Sequence, residues 1–350
     1  MSLSRDVSTT LRGRRTAEAA GQPLDDTSKL ANMLRLPTLL LVACALPANA
    51  AEVVRVPPWE LHSSFWMSLH QTLIADASGF APRDLTALSP EDQKGWNEAV
   101  AAYRAAAGHG DTTFAKPVAI TNDAISQVAD DAVEPLIDAP LAEALKRSAP
   151  IYRAHWWTAD DKANRFFIGY AAAMLREAGE DLILAHQTVY RAEWPRRILV
   201  YVAPYGGPFG AYTMTGRAGG VITTMSSRDA KYQGLRALEM LLHESSHAVV
   251  GPTTGTVADA IATAAKRRGV EAPRDLWHAI LFATSSELTR RFLAERGAPA
   301  YQPSSEELFT RVWPHYREAI EKHWIPYVDG QGKLEDAIDE VIGAIPRRSP

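Results

Sequence analysis

The nine residues RRILVYVAP, 196–204, constrain the fold more than any other stretch of the chain. The apolar run is short, rich in β-branched and aromatic residues and closed by proline, which predicts a strand of the buried type. GPFGAYTMTGRAGGVITTMSS, 207–227, then reads as two short strands around a Gly-rich turn, Gly216 to Gly220. Ser226 or Ser227 can cap a helix that runs through LEMLLHESSHAVV, 238–250, and stops at Gly251-Pro252. Glycine suits a helix end, and proline cannot continue a helix.

The flanking sequence is written mainly in helical periods. WELHSSFWMSLHQTLIADA, 59–77, places Leu61, Phe65, Leu69 and Leu73 on one stripe and predicts a helix. Further helices are predicted over 90–107, 121–131, 139–149 and 158–178, bounded by Pro90, Pro117, Pro135, Pro140 and Pro150. After the motif come helices near 257–268 and from Asp275 to about Arg296, and two more helical patterns within 304–345. The fold class is therefore α+β and mostly helical. A small antiparallel sheet packs on the motif helix, with a helical N-terminal half and C-terminal helices. Three regions follow: an N-terminal extension with a leader over 1–50, a helical region over 51–195 and a region over 196–350 that carries the strands and the LEMLLHESSHAVV helix, the one where a metal site is expected on the grounds given below.

The lone cysteine, Cys44, decides which metal ligands are available. It lies in MLRLPTLLLVACALPANA, which starts at Met33 and carries Arg35, an apolar run Leu39–Leu46 and a small-x-small site at Ala48-Asn49-Ala50. That pattern predicts a secretory signal peptide with Met33 as the expected true start, and its run is too short for the roughly 20 residues that span a bilayer. LVAC also resembles a lipobox, which would anchor the protein through Cys44. Cleavage after Ala50 leaves no cysteine, so a metal must be held by His, Asp or Glu. The formal charge is −4 with no Lys/Arg-rich block, which argues against nucleic acid as a partner.

On a helix His243 and His247 lie one turn apart on one face, so both rings can reach one ion at about 2.0–2.1 Å. Glu244, offset by about 100°, can lie beside that ion and take a proton from water. The competing reading is a helix with two incidental histidines. With strands before it and helices after it, LLHESSHAVV resembles the zincin metallopeptidases over roughly residues 196–296. In that family a sheet edge holds the substrate strand and the HExxH helix lies beneath it. Ser245 departs from the pattern, which usually has a bulky apolar residue there.

The resemblance implies Zn²⁺, held by His243, His247 and a third ligand, with Glu244 as the general base. Thr253 stands where the metzincin branch needs a histidine, so the gluzincin branch fits better and implies a glutamate on a later helix: Glu287, in LWHAILFATSSELTRR. Glu287 can instead pair with Arg290 or Arg291. His278 lies nine residues from it, on the opposite face of the same helix, and is the rival ligand; Asp259 in GTVADA is a second rival. The strand around 210–214 is where such a protein would offer backbone bonds to an extended peptide.

Elsewhere, Tyr152, His155, Trp156, Trp157 and Asp160 either line a cleft or fill a core, and His62 and His70 are read as structural histidines on one helix. Tyr301 and Tyr327 are possible oxyanion donors that no spacing selects. No P-loop and no Gly-x-Ser-x-Gly elbow is present. The function expected is an exported zinc metallopeptidase, secreted or periplasmic, acting on peptide or protein. The alternatives are a non-catalytic zincin-derived binding protein and a zinc hydrolase of a non-peptide amide or ester.

Overall fold

Ile198–Ala203 forms the central strand of a five-stranded sheet, and all six of its residues are buried. The coordinates are a computed structural model describing residues 52–108, 111–128, 139–216 and 219–346; the leader, Met33 and Cys44 lie outside the described residues. The strands are β1 (Glu52–Val56), β2 (Trp59–Ser63), β3 (Ile198–Ala203), β4 (Ala211–Thr215) and β5 (Val221–Ser226), in the order β1-β2-β3-β5-β4.

The hairpin β4–β5 is antiparallel, as the glycine-rich turn predicts, with Thr213 opposite Thr223. The sheet as a whole is mixed, not antiparallel, because β3 pairs in parallel with β2 on one side and with β5 on the other. After β3 the chain runs first to the sheet edge, forms β4, and turns back as β5 into the place beside β3. That return makes β5 run in the direction of β3.

Side chains of β3 alternate between two cores, as a strand covered on both faces requires. Ile198, Val200 and Val202 enter one core with α5 (Thr158–Tyr190), α6 (Leu235–Ser246), α7 (Thr256–Arg268) and α8 (Leu276–Glu295). Leu199 and Tyr201 enter the other with α1 (Phe65–Ser78), α2 (Pro90–Ala107), α3 (Lys116–Ser126) and α4 (Ala142–Tyr152). The C-terminal helices α9 (Ser304–Arg311), α10 (Arg317–Ala319), α11 (Ile325–Val328) and α12 (Leu334–Ala344) complete the first core. The architecture is α+β and mostly helical. Strands from both sides of Pro195 share the one sheet, and the described residues form one unit. No helix among the described residues is long and apolar enough to cross a membrane.

The stretch 59–77 is a strand followed by a helix, not one helix. Positions 59, 61 and 63 are buried in strand alternation, and Ser64 then caps α1 by accepting from the Met67 amide at 3.2 Å. Leu61 belongs to the period-two pattern and only by coincidence stands four residues before Phe65. His62 and His70 consequently sit on different elements. His62 stacks on Tyr201 with centroids 4.9 Å apart, and His70 Nδ1 meets the Tyr103 hydroxyl at 2.6 Å.

Trp59 explains two further departures. Helix α5 continues past 178 to Tyr190 because Gly179 does not break it: a Cβ there would come within 2.8 Å of the Trp59 ring. The indole Nε1 donates to Ser245 Oγ at 2.8 Å, and Ser245 donates to the Leu241 carbonyl at 2.6 Å. The small residue in the motif is thus the seat of a tryptophan from the first hairpin. Ser245→Ala should cost about 1–3 kcal/mol in denaturant unfolding by stranding the buried N–H. Adding Trp59→Phe, which removes that N–H, should leave a smaller penalty for the loss of Ser245; equal penalties in both backgrounds would refute the account. Ser245→Leu, the change toward the family pattern, should destabilise by a further about 1–3 kcal/mol through overpacking.

Candidate metal centre

Helix α6 starts later than the serines at its predicted cap. Ser226 Oγ instead accepts from the amides of Arg228 and Asp229, at 3.2 and 3.0 Å, and closes a turn before the helix. Leu238, Leu241 and Leu242 bury α6 in the first core, and α6 packs against α8. His243 and Glu244 lie in the last turn of α6, and His247 follows in the closing turn, its amide donating to the Glu244 carbonyl at 3.3 Å. His278 comes from the first turn of α8, and the packing of the two helices brings it to the motif.

The three imidazoles His243, His247 and His278 place one ring nitrogen each within 4.8 Å of the others. Nε2 of His243 and Nε2 of His278 face each other at 3.3 Å. A tetrahedral ion with bonds of about 2.0–2.1 Å separates its ligand atoms by about 3.3–3.4 Å, so this pair already stands at the edge length of a zinc tetrahedron. His243 Nδ1 is buried and has no hydrogen-bond partner among the described residues, so the proton of this ring can rest there while Nε2 presents its lone pair.

Burial keeps these rings neutral. It pushes His243 well below the ordinary histidine range, with further depression from His247 and His278. It pushes His247 down to about 3 and His278 to about 4. Neutral imidazole is the form that binds metal. Phe282 lies against His243 with centroids 3.7 Å apart, and Trp277 stacks on His278 at 4.8 Å and 10°. Trp313 meets the edge of His278 at 5.4 Å. His243 and Glu244 are only 1% and 4% exposed, whereas His247, His278 and Trp277 are half-buried, so solvent reaches the centre from their side.

Glu244 Oε2 accepts from Thr213 Oγ1 of the edge strand at 2.8 Å. Burial raises its carboxyl to about 8, against the lowering effect of that hydrogen bond. Positive charge held at the three imidazoles would favour the carboxylate again.

Glu287 is not among the converging groups. Its oxygens accept from Arg290 at 2.8 and 2.6 Å and from Arg291 at 2.6 Å. Burial works to raise its carboxyl, but the two guanidiniums hold it below the usual carboxylate range. The third place near the histidine pair therefore falls to His278, on the other face of α8. Asp259 is exposed on α7, in a surface cleft with Thr256 and Arg267, and is outside the cluster.

Glu239, one turn before His243, is a further residue of the centre that the motif spacing does not single out. Its buried carboxylate accepts from Ser286 Oγ at 2.8 Å, the Ser304 amide at 3.0 Å and the Tyr301 hydroxyl. It ties α6 to α8 and to the start of α9, and so fixes the two histidine-bearing helices against each other. A glutamate inside the apolar run LEMLL was the available signal. Tyr301 is thereby engaged, and the Tyr327 hydroxyl donates to the Val189 carbonyl at 2.8 Å. Tyr152 is buried in the second core, with Trp156 and Trp157 packed against it, and Asp160 accepts from Arg83, Arg228 and Tyr152 at 2.5, 2.5 and 2.7 Å. Comparison with protein-family models, with curated proteins and with solved structures finds no match to this chain.

Proposed function

We propose that the chain is an exported zinc-dependent hydrolase, a zincin-like metallopeptidase in which His243, His247 and His278 hold the ion and Glu244 is the general base. The convergence of three neutral imidazoles, one buried and two half-buried, beside a buried glutamate carries this reading. Zinc held there would supply a polarised water at neutral pH and a Lewis-acid contact to a carbonyl oxygen. The residues supply the rest. Glu244 takes a proton from the attacking water and returns it to the leaving nitrogen, which a carboxylate fixed at one oxygen and open at the other can do. Phe282 and Trp313 pack the centre with apolar surface, which strengthens each charge interaction within it.

The edge position of β4 supports a peptide substrate. An extended chain can add to a sheet edge through backbone hydrogen bonds, and Thr213 connects that edge directly to Glu244. The engagement of Glu287 by two arginines would by itself favour a binding protein without a complete site, but His278 restores a three-ligand set. Metal analysis of the purified protein tests the first half of the proposal: about one zinc per chain is expected, and none would refute it. Peptide and non-peptide amide or ester substrates, each assayed with the wild type and with Glu244→Gln, test the second.

A further inference from the structure

We infer that Thr213 is a positioning residue for Glu244, an inference that rests on Glu244 being the base. With Glu244 ionised, one assignment of the protons at this point gives every hydroxyl hydrogen an acceptor. Thr223 is fully buried, and its hydroxyl has one hydrogen-bond partner among the described residues, Thr213 Oγ1 at 2.9 Å. Thr223 therefore donates to Thr213, and the single proton of Thr213 is free to go to Glu244. The carboxylate oxygen Oε2 at 2.8 Å is its strongest acceptor. Glu244 Oε1 has no protein partner among the described residues and is left to meet the reacting water.

The same hydroxyl stands 3.0 Å from the backbone carbonyl of Glu244. The two threonines are cross-strand partners of the β4–β5 hairpin, so the rigidity of the ladder is passed to the carboxylate. Substrate pairing with the outer edge of β4 would stiffen the strand that aims the base.

Thr213→Val keeps the shape and removes the hydroxyl, and Thr213→Ser keeps the hydroxyl. Thr213→Val should lower kcat by about 10- to 100-fold, the cost of a misaimed catalytic group, with KM and zinc content unchanged. Thr213→Ser should restore most of kcat. A Thr213→Val enzyme with wild-type kcat, or a Thr213→Ser enzyme that falls equally far, overturns the inference. A second readout needs neither activity nor metal. In crystal structures of the metal-free proteins the Glu244 carboxylate should move by more than about 0.5 Å in Thr213→Val and stay in place in Thr213→Ser. An unmoved carboxylate overturns the inference, and Thr213→Ala serves the same comparison if the valine variant does not fold. Absence of hydrolysis by the wild type, or full activity of Glu244→Gln, would sink the hydrolase reading alone, because the displacement still decides the role of Thr213.

Discussion

Glu244→Gln is expected to reduce hydrolysis by about a thousandfold while leaving zinc content and folding close to wild type. The amide keeps the volume of the side chain, and its oxygen can still accept from Thr213 Oγ1, now 2.8 Å from Glu244 Oε2. It cannot carry a proton from water to a leaving group. The side chain is only 4% exposed, so bulk water cannot easily replace it as the proton carrier. Because burial disfavours the charged carboxylate here, the neutral amide should be tolerated, and the variant should melt at or above the wild-type temperature. Loss of activity with raised or unchanged stability separates a catalytic role from a structural one. Retention of full activity would mean that Glu244 is not the base.

The motif was legible because its geometry is local. His243, Glu244 and His247 lie within a little more than one helical turn, and the 3.6-residue period alone sets their faces. The third histidine of the cluster was not legible in the same way, since its place depends on how α8 packs on α6. The period of α8 does say that His278 and Glu287 cannot serve one ion, but not which of them faces the motif. Glu287 drew attention as a carboxylate in an apolar stretch. Arg290 and Arg291, three and four residues on, supplied its partners from its own helix.

The sheet shows the same division. The run that became β3 and the turn between β4 and β5 were readable from composition and glycine placement. The parallel pairing of β3 with β2 joins segments more than a hundred residues apart, and no local period records it. Strand β2 was hidden because its inward Leu61 falls in step with the helical stripe of α1. Ser245, which departs from the zincin pattern, has its reason in a residue almost two hundred positions away, Trp59, whose indole it accepts from.

Zinc affinity should separate His278 from Glu287 decisively. His278→Ala removes one of three donors and should weaken zinc binding by well over 100-fold, since loss of groups behind the ligands already costs about 10- to 100-fold. Hydrolysis should fall with the metal. Added imidazole can enter the vacated volume beside Trp277 and Trp313 and should restore part of the binding. Glu287→Gln removes no donor from the cluster. It breaks ion pairs with Arg290 and Arg291, whose side chains are 40% and 29% exposed, so about 1 kcal/mol or less of stability is at stake. Isothermal titration of the metal-free proteins with zinc reads both variants. The opposite ranking, with His278→Ala binding as wild type and Glu287→Gln losing the ion, would require α8 to rotate by about half a turn, because nine residues at about 100° each set the two side chains on opposite faces. Such a rotation would break the contacts of Ser286 with Glu239 and of Thr284 with Trp324, at 2.8 and 2.9 Å, which anchor α8 along its length. The packing of α8 therefore turns His278, and not Glu287, toward the histidine pair.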